Sequence, residues 1–367
     1  MPKWSDFGNI WSTLREIDMS AIREEAERPV TVLCVGHDAA LDTLDQLLHQ
    51  GNERYPVSGP NPLQMISLAR GVERTPSLSG ADMILLAVDA RASLTPPEAA
   101  SFGRLETLTI PFLVVLLNGD ELPAGEAFHS PLIRSRIVTV ANPAALDASD
   151  TLATAILGRL PGELHLAAAR RLPGLRPIFA RELINSVAFT NATYALASGL
   201  PEQVPILSVP FVAADMLVLT KNQAVLVYRL ALAYGAPPDF QARIREVLPV
   251  IGGAFLWRQA ARSLIGLIPI WGLLPKIAVA YAGTYTTGIA AWRWYESGEL
   301  VSTDQLRRIS ADAIAIGRTR AAELIERART ARDQAVARTR ADDSWFGRMK
   351  RRLPFRRKPH ELTPPKQ

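Results

Sequence analysis

A chain of 367 residues with 48% hydrophobic side chains and a mean hydropathy of +0.08 has room for two to three globular units and is too polar for a multi-span transporter. Its formal net charge of +5 gathers at the C-terminus, in Arg348, Lys350, Arg351, Arg352, Arg356, Arg357 and Lys358, a cluster that favours anionic membranes or nucleic acid by charge attraction. The single cysteine, Cys34, rules out an intramolecular disulfide and a cysteine-based zinc cluster, and His37, His49, His129, His165 and His360 carry no ligand spacing.

The first residues, MPKWSDFGNIWSTLREIDMS, lack the uninterrupted apolar stretch of a signal peptide, so the expected location is the cytoplasm or the cytoplasmic face of a membrane. Within residues 1–29, Trp4, Phe7, Ile10, Trp11 and Leu14 recur at three- and four-residue spacing. This predicts an amphipathic helix, and its acidic residues favour packing on the next domain over lying on a membrane. Residues 30–160 then alternate apolar runs with helical segments. The runs Val30–Val35, Asp82–Ala90, Pro111–Asn118 and Arg136–Val140 are rich in Val, Ile and Leu and lack strict alternation, as strands buried on both faces of a parallel sheet do. Leu63–Leu68 is a further strand candidate; helices are predicted near residues 39–50, 95–109 and 148–160. This rhythm predicts an α/β doubly wound domain, with Cys34 a buried hydrophobe in its first strand.

Residues 161–180 mix prolines with arginines and read as a connector. From 181 to 300 long apolar stretches broken by Gly and Pro predict an all-α domain. Asp215, Asn222 and Arg229 recur every seven residues on one face, which is either solvated or bonded across helices. Between Ser263 and Trp292 the only charge is Lys276, and a spanning helix needs about 20 mainly apolar residues. Arg293 follows this stretch, and Trp292, Trp294 and Tyr295 stand at its end as interfacial anchors would. The stretch is either membrane-inserted or the core of a soluble bundle. Ser302 and Gln305 form a capping-box pattern that opens a polar helix over 301–345. Its apolar stripe, Leu306, Ile309, Ala313 and Ile316, fades after Leu324. A stripe so narrow predicts a helix exposed over most of its surface and dispensable to the core. Residues 346–367 are basic, proline-rich and expected to be disordered.

Beyond the first strand lies Gly36-His37-Asp38-Ala39-Ala40-Leu41-Asp42-Thr43. A phosphate-binding loop has the form GxxxxGK followed by Ser or Thr, because backbone N–H groups must wrap the phosphates and a lysine must reach them. Gly36 and Thr43 occupy the first and last positions of that form; Leu41 replaces the second glycine and Asp42 the lysine. A side chain and a carboxylate thus stand where a polyanion needs open backbone and positive charge. Ala81-Asp82-Met83-Ile84-Leu85-Leu86-Ala87-Val88-Asp89-Ala90 resembles the ADxxLxVxDA strand of Era- and Ras-like GTPases, and the strand Pro111–Asn118 ends in Asn118-Gly119-Asp120, similar to their base-reading NKxD motif without its lysine. No DxxG motif lies between residues 51 and 81. The resemblance covers roughly 30–160 and implies a degenerate P-loop GTPase-like fold with Gly36, Thr43, Asn118 and Asp120 as vestigial nucleotide-site residues. It implies no cofactor, unless an atypical active GTPase still takes GTP and Mg²⁺.

The string Asn191-Ala192, Pro205-Ile206, Pro210–Met216, Leu219–Gln223 and Tyr234-Gly235 resembles the YcjF-type domain, a helical, often membrane-linked domain found behind Era-like GTPases. Together the two resemblances imply a non-catalytic, membrane-associated protein whose pseudo-GTPase domain serves as an interaction or scaffolding module. A soluble helical adaptor is the remaining alternative. The implied membrane- or partner-facing residues are Lys276, Trp292, Arg293, Trp294, Arg351, Arg352, Arg356 and Arg357. No recognition motif accompanies the basic tail to suggest nucleic acid, and no arrangement of residues suggests a small-molecule substrate.

Overall fold

Five short apolar runs pair into one sheet in the computed structural model, which describes residues 18–51, 54–57, 59–68, 80–92, 95, 109–123, 128, 130–199, 208–247 and 273–352. Strands β1 (Val32–Gly36), β2 (Leu63–Ser67), β3 (Met83–Asp89), β4 (Phe112–Leu117) and β5 (Ile137–Val140) lie in the order β2-β1-β3-β4-β5, every neighbouring pair parallel. Successive side chains point to opposite faces. Cys34, Met83, Leu85, Ala87, Leu113, Val115 and Leu117 therefore enter one core, while Leu33, Ile84, Leu86, Val88, Phe112, Val114 and Leu116 enter another. Both faces are covered, and that is why the runs do not alternate. The first core is closed by helices α2 (Asp38–His49) and α4 (Ala148–Leu157) through Leu44, Leu48, Leu152 and Ile156. A short helix, α3 (Pro131–Arg134), sends Ile133 into the second core. Of the N-terminal helix predicted over 1–29 the structure describes α1, Ser20–Glu27; Trp4, Phe7, Ile10, Trp11 and Leu14 lie outside the described residues, as does most of 95–109.

Cys34 is fully buried, and burial pushes its thiol up to about 12. The fold prefers the neutral thiol. This cysteine is therefore neutral to stability below its unfolded value of about 8.5 and destabilises the native state progressively above it. We expect maleimide to label Cys34 only as fast as the chain opens, so its labelling rate should follow denaturant; fast labelling of native protein would show that the first core is loosely packed.

The segment read as a connector is built into the core. A turn at Gly162–Leu164, helix α5 (His165–Arg171), a turn at Pro173–Leu175 and the start of α6 (Arg176–Gly199) run without a loop. Arg170, Arg171 and Arg176 are buried and bond backbone carbonyls at helix ends. Arg170 donates to Leu232 and Ala236 at the end of α7 (Ser208–Ala233), Arg171 to Ala26 and Glu27 at the end of α1, and Arg176 to Ala169 and Arg170 at the end of α5. The last carbonyls of a helix have no partner within it and carry partial negative charge, so a cation there supplies both hydrogen bonds and charge.

The helical region is a bundle around α9 (Leu273–Ser297), which packs on α6, α7 and α10 (Thr303–Arg352), with α8 (Phe240–Val247) against α7. Gly288 of α9 lets α6 approach closely: an added Cβ would sit 2.7 Å from Ile184 Cγ1. Ser302 and Gln305 bond reciprocally, Gln305 N–H to Ser302 Oγ (3.2 Å) and Ser302 N–H to Gln305 Oε1 (3.0 Å), so the capping box starts α10 as expected.

One expectation needs correction. Among the described residues no helix is long and apolar enough to cross a membrane, which overturns the transmembrane reading of Ser263–Trp292. From Leu273 onward that stretch is α9, apolar because other helices surround it. Its buried positions include Thr284, whose hydroxyl accepts from Asn191 Nδ2 and donates to the Ala280 carbonyl, and Thr286, whose hydroxyl bonds Ser310 Oγ; residues 263–272 lie outside the described residues. The described part of α10 is exposed over most of its surface, as expected, and it also contributes a buried seam to the bundle. Leu306, Ala313, Ala321 and Leu324 are buried, and an added Cβ on Gly317 would stand 2.8 Å from the Ala278 carbonyl oxygen of α9. The seam follows Gly317, which a search for large apolar residues passes over, and Ile316 is left 41% exposed.

Candidate functional site

Open parallel sheets take ligands at the carboxyl ends of their strands, where the strand order reverses. Here that point lies between β1 and β3, and Gly36 is the last residue of β1. Its lack of a side chain serves strand packing: a Cβ would lie 2.5 Å from the Ala87 carbonyl oxygen of β3. Only His37 separates β1 from α2. Asp38 and Asp42 are exposed in the first turns of α2, Leu41 is buried, and Thr43 Oγ1 donates to the Ala39 carbonyl within the helix at 2.9 Å. Gly36 and Thr43 thus stand in a strand and a helix, and no loop of free N–H groups lies between them.

At the ends of β3 and β4, Asn118 adopts a left-handed backbone (φ 61°), a conformation asparagine tolerates better than most residues. Its Nδ2 donates to Asp89 Oδ2 (2.9 Å), while Asp89 Oδ1 accepts from Arg91 N–H (2.8 Å) and the Asn118 N–H donates to the Val140 carbonyl (3.2 Å). Gly119 follows because a Cβ there would lie 2.7 Å from Ala90 Cβ. The structure pairs Asn118 with Asp89, not with Asp120, which is exposed. Sequence order alone did not single out Asp89, although it stands next to last in the quoted run and ends β3; its position directly before a turn was the available signal.

The helical bundle docks away from this edge, on the segment that leads into β2. The Arg54 guanidinium lies 4.1 Å over the Trp294 ring and donates to the Trp294 carbonyl. Glu246 Oε1 accepts from Tyr55 Oη (2.9 Å) and Trp294 Nε1 (3.0 Å), and Glu246 Oε2 lies 2.6 Å from Arg243 Nη1. Trp292 Nε1 donates to Tyr234 Oη, whose hydroxyl reaches Glu296 at 3.5 Å. Burial lifts the Glu296 carboxyl above the ordinary carboxylate range, opposed by the Trp292 and Tyr234 contacts. Trp292 and Trp294 are thus spent on contacts within the protein and do not stand free as interfacial anchors. Arg293 between them is exposed, Lys276 is half-buried, Arg351 and Arg352 fall in the last turn of α10, and Arg356 and Arg357 lie outside the described residues.

Inside the bundle Asn191 is fully buried and joins three helices: Asn222 Nδ2 donates to its Oδ1 (2.6 Å) and its Nδ2 donates to Thr284 Oγ1 (2.8 Å). Gln223 Nε2 reaches the same hydroxyl at 3.3 Å. A buried network with its partners supplied fixes helix register, since slipping α7 by one residue would strand several amide groups. Arg229, on the same face as Asn222, pairs with Glu25 of α1 at 2.7 Å. The seven-residue polar pattern is therefore bonded across helices and not simply solvated; the Asp215 side chain lies outside the described residues. Among the described residues no group of His, Cys, Asp and Glu has the arrangement to hold a metal ion. The chain matches no protein-family model, and no curated protein matches it.

Proposed function

We propose that this protein is a non-catalytic scaffold: a GTPase-like α/β domain that no longer holds nucleotide, built onto a YcjF-like helical bundle and working at the cytoplasmic face of a membrane. The observation that carries the reading is the direct entry of β1 into α2. With one residue between strand and helix, the backbone has no arc of N–H groups to wrap a triphosphate. Asp38 and Asp42 add negative charge at the helix start, where a bound phosphate would have used the positive end of the dipole. The parallel order β2-β1-β3-β4-β5 is compatible with a GTPase ancestry but common to doubly wound sheets, so the ancestry rests on the sequence resemblance of the strands that end at Asp89 and Asn118. Without a nucleotide, the carboxyl ends of the strands would serve a protein partner instead, while contacts of Arg54, Glu246 and Trp294 join the α/β domain to the bundle. The C-terminal basic cluster supports attachment to an anionic membrane.

Titration calorimetry with GTP and Mg²⁺ tests the central point. We expect no binding up to millimolar nucleotide, and no phosphate release above a buffer control. A micromolar dissociation constant would overturn the scaffold reading and restore an active, atypical GTPase.

A further inference from the structure

Membrane attachment has so far rested on charge alone, which salt screens within about a nanometre. The backbone of α10 points to a second, apolar component. Among the described side chains the last one packed on the bundle is Ala328, and Gln334 is exposed. The helix nevertheless continues to Arg352, which carries its end about 36 Å past Ala328 at about 1.5 Å per residue. Within α10 the last acidic residues are Asp342 and Asp343; the last turns then read Trp345-Phe346-Gly347-Arg348-Met349-Lys350-Arg351-Arg352. At about 100° per residue, positions 345, 346 and 349 share one arc of the helix. Arg348 and Arg352 border that arc on one side and Lys350 borders it on the other. Aromatic and thioether residues on one arc, flanked by cations, are the composition of a helix that lies in a lipid headgroup layer.

We infer that residues 345–352 are an interfacial anchor for acidic lipid, in which Trp345, Phe346 and Met349 supply burial and the flanking arginines and lysine supply charge. The inference rests on the membrane part of the reading above and replaces the stretch 263–292 as the source of apolar attachment. Nucleic acid would be attracted by the same charges, but it gives the apolar arc nothing to enter.

The test is sedimentation of the full chain with phosphatidylcholine vesicles, with and without phosphatidylglycerol, across a salt series. Two double substitutions are made in the last turns of α10, beyond Ala328, with the thermal transition of each variant checked against wild type. Arg348→Gln with Arg351→Gln should weaken low-salt binding about thirtyfold and flatten its salt dependence. Trp345→Ser with Phe346→Ser should keep the salt dependence, lose about tenfold at low salt, and abolish the salt-resistant fraction. If the apolar variant binds like wild type, the anchor is overturned while attachment by charge stands. If wild type binds no anionic vesicle, the anchor and the membrane reading fail together. Tighter binding to a short RNA duplex than to vesicles, unchanged by the apolar substitutions, would overturn both in favour of nucleic acid.

Discussion

Ending the chain at Leu300 is expected to lower the melting temperature by at least about 8 °C, at about 2–4 °C for each kcal/mol in a domain of a few hundred residues. The shortened protein loses the burial of Leu306, Ala313, Ala321 and Leu324 and exposes the face of α9 that carries Ile277, Ala278 and Tyr281. Each large apolar side chain returned to water costs roughly 1.5–3 kcal/mol. The leucines of α10 with Ile277 alone bring the loss above about 4 kcal/mol by the same bookkeeping, before Tyr281 is counted. A subtler form of the experiment keeps the helix. Gly317→Leu places a side chain where a Cβ already lies 2.8 Å from the Ala278 carbonyl oxygen and 3.2 Å from its Cα, so α9 and α10 must part. It should cost roughly 1–3 kcal/mol, the usual range for an overpacked contact. Calorimetry reads both. An unchanged transition in the truncated chain would mean that α10 rests on the bundle without contributing to it.

Gly174→Val should be more damaging than any other single substitution of a described glycine. A Cβ there would lie 2.3 Å from the Leu47 carbonyl oxygen, 3.0 Å from that of Leu48 and 3.1 Å from Leu48 Cα. All three are backbone atoms at the end of α2, and no side-chain rotation relieves them. The turn Pro173–Leu175 would have to lift off α2, carrying with it α5 and the start of α6, and so opening the seam between sheet and bundle. Arg170 would lose the carbonyls at the end of α7 and Arg171 those at the end of α1 in the same movement, at about 1.5–3 kcal/mol for each charged hydrogen-bonded group left unpaired. We expect a loss above about 3 kcal/mol, with dye-accessible apolar surface before the main transition. Gly162→Ala is the control, because nothing lies within 4 Å of its added Cβ. Equal stability of the two variants would show that the seam is soft and that the α/β domain and the bundle do not act as one body.

The strands were readable in the sequence to within two residues at either end, and Leu63–Ser67 emerged from the run Leu63–Leu68. Burial on both faces demands unbroken Val, Ile and Leu, and that demand is met locally. The capping box at Ser302 is equally local, a bond between residues three apart. The altered loop at Gly36–Thr43 was visible for the same reason, since a missing lysine and glycine are facts about single positions. What the loop became, a strand running almost directly into a helix, depended on Gly36 meeting Ala87 across the sheet.

Elsewhere the chain carried a demand without naming what would meet it. Arg170, Arg171 and Arg176 look like surface charges beside prolines, and only the arrival of three helix ends at one place turns them inward. Trp292 and Trp294 suit a membrane interface as well as they suit Tyr234 and Glu246, because both settings offer an apolar body and a polar partner for the indole N–H. Gly317 carries no hydrophobic signal at all, yet it marks where two helices touch. An apolar residue records that its surface must leave water; whether lipid, a neighbouring helix or a partner removes it is decided by which segments of the chain meet, and those meetings exist only in the folded molecule.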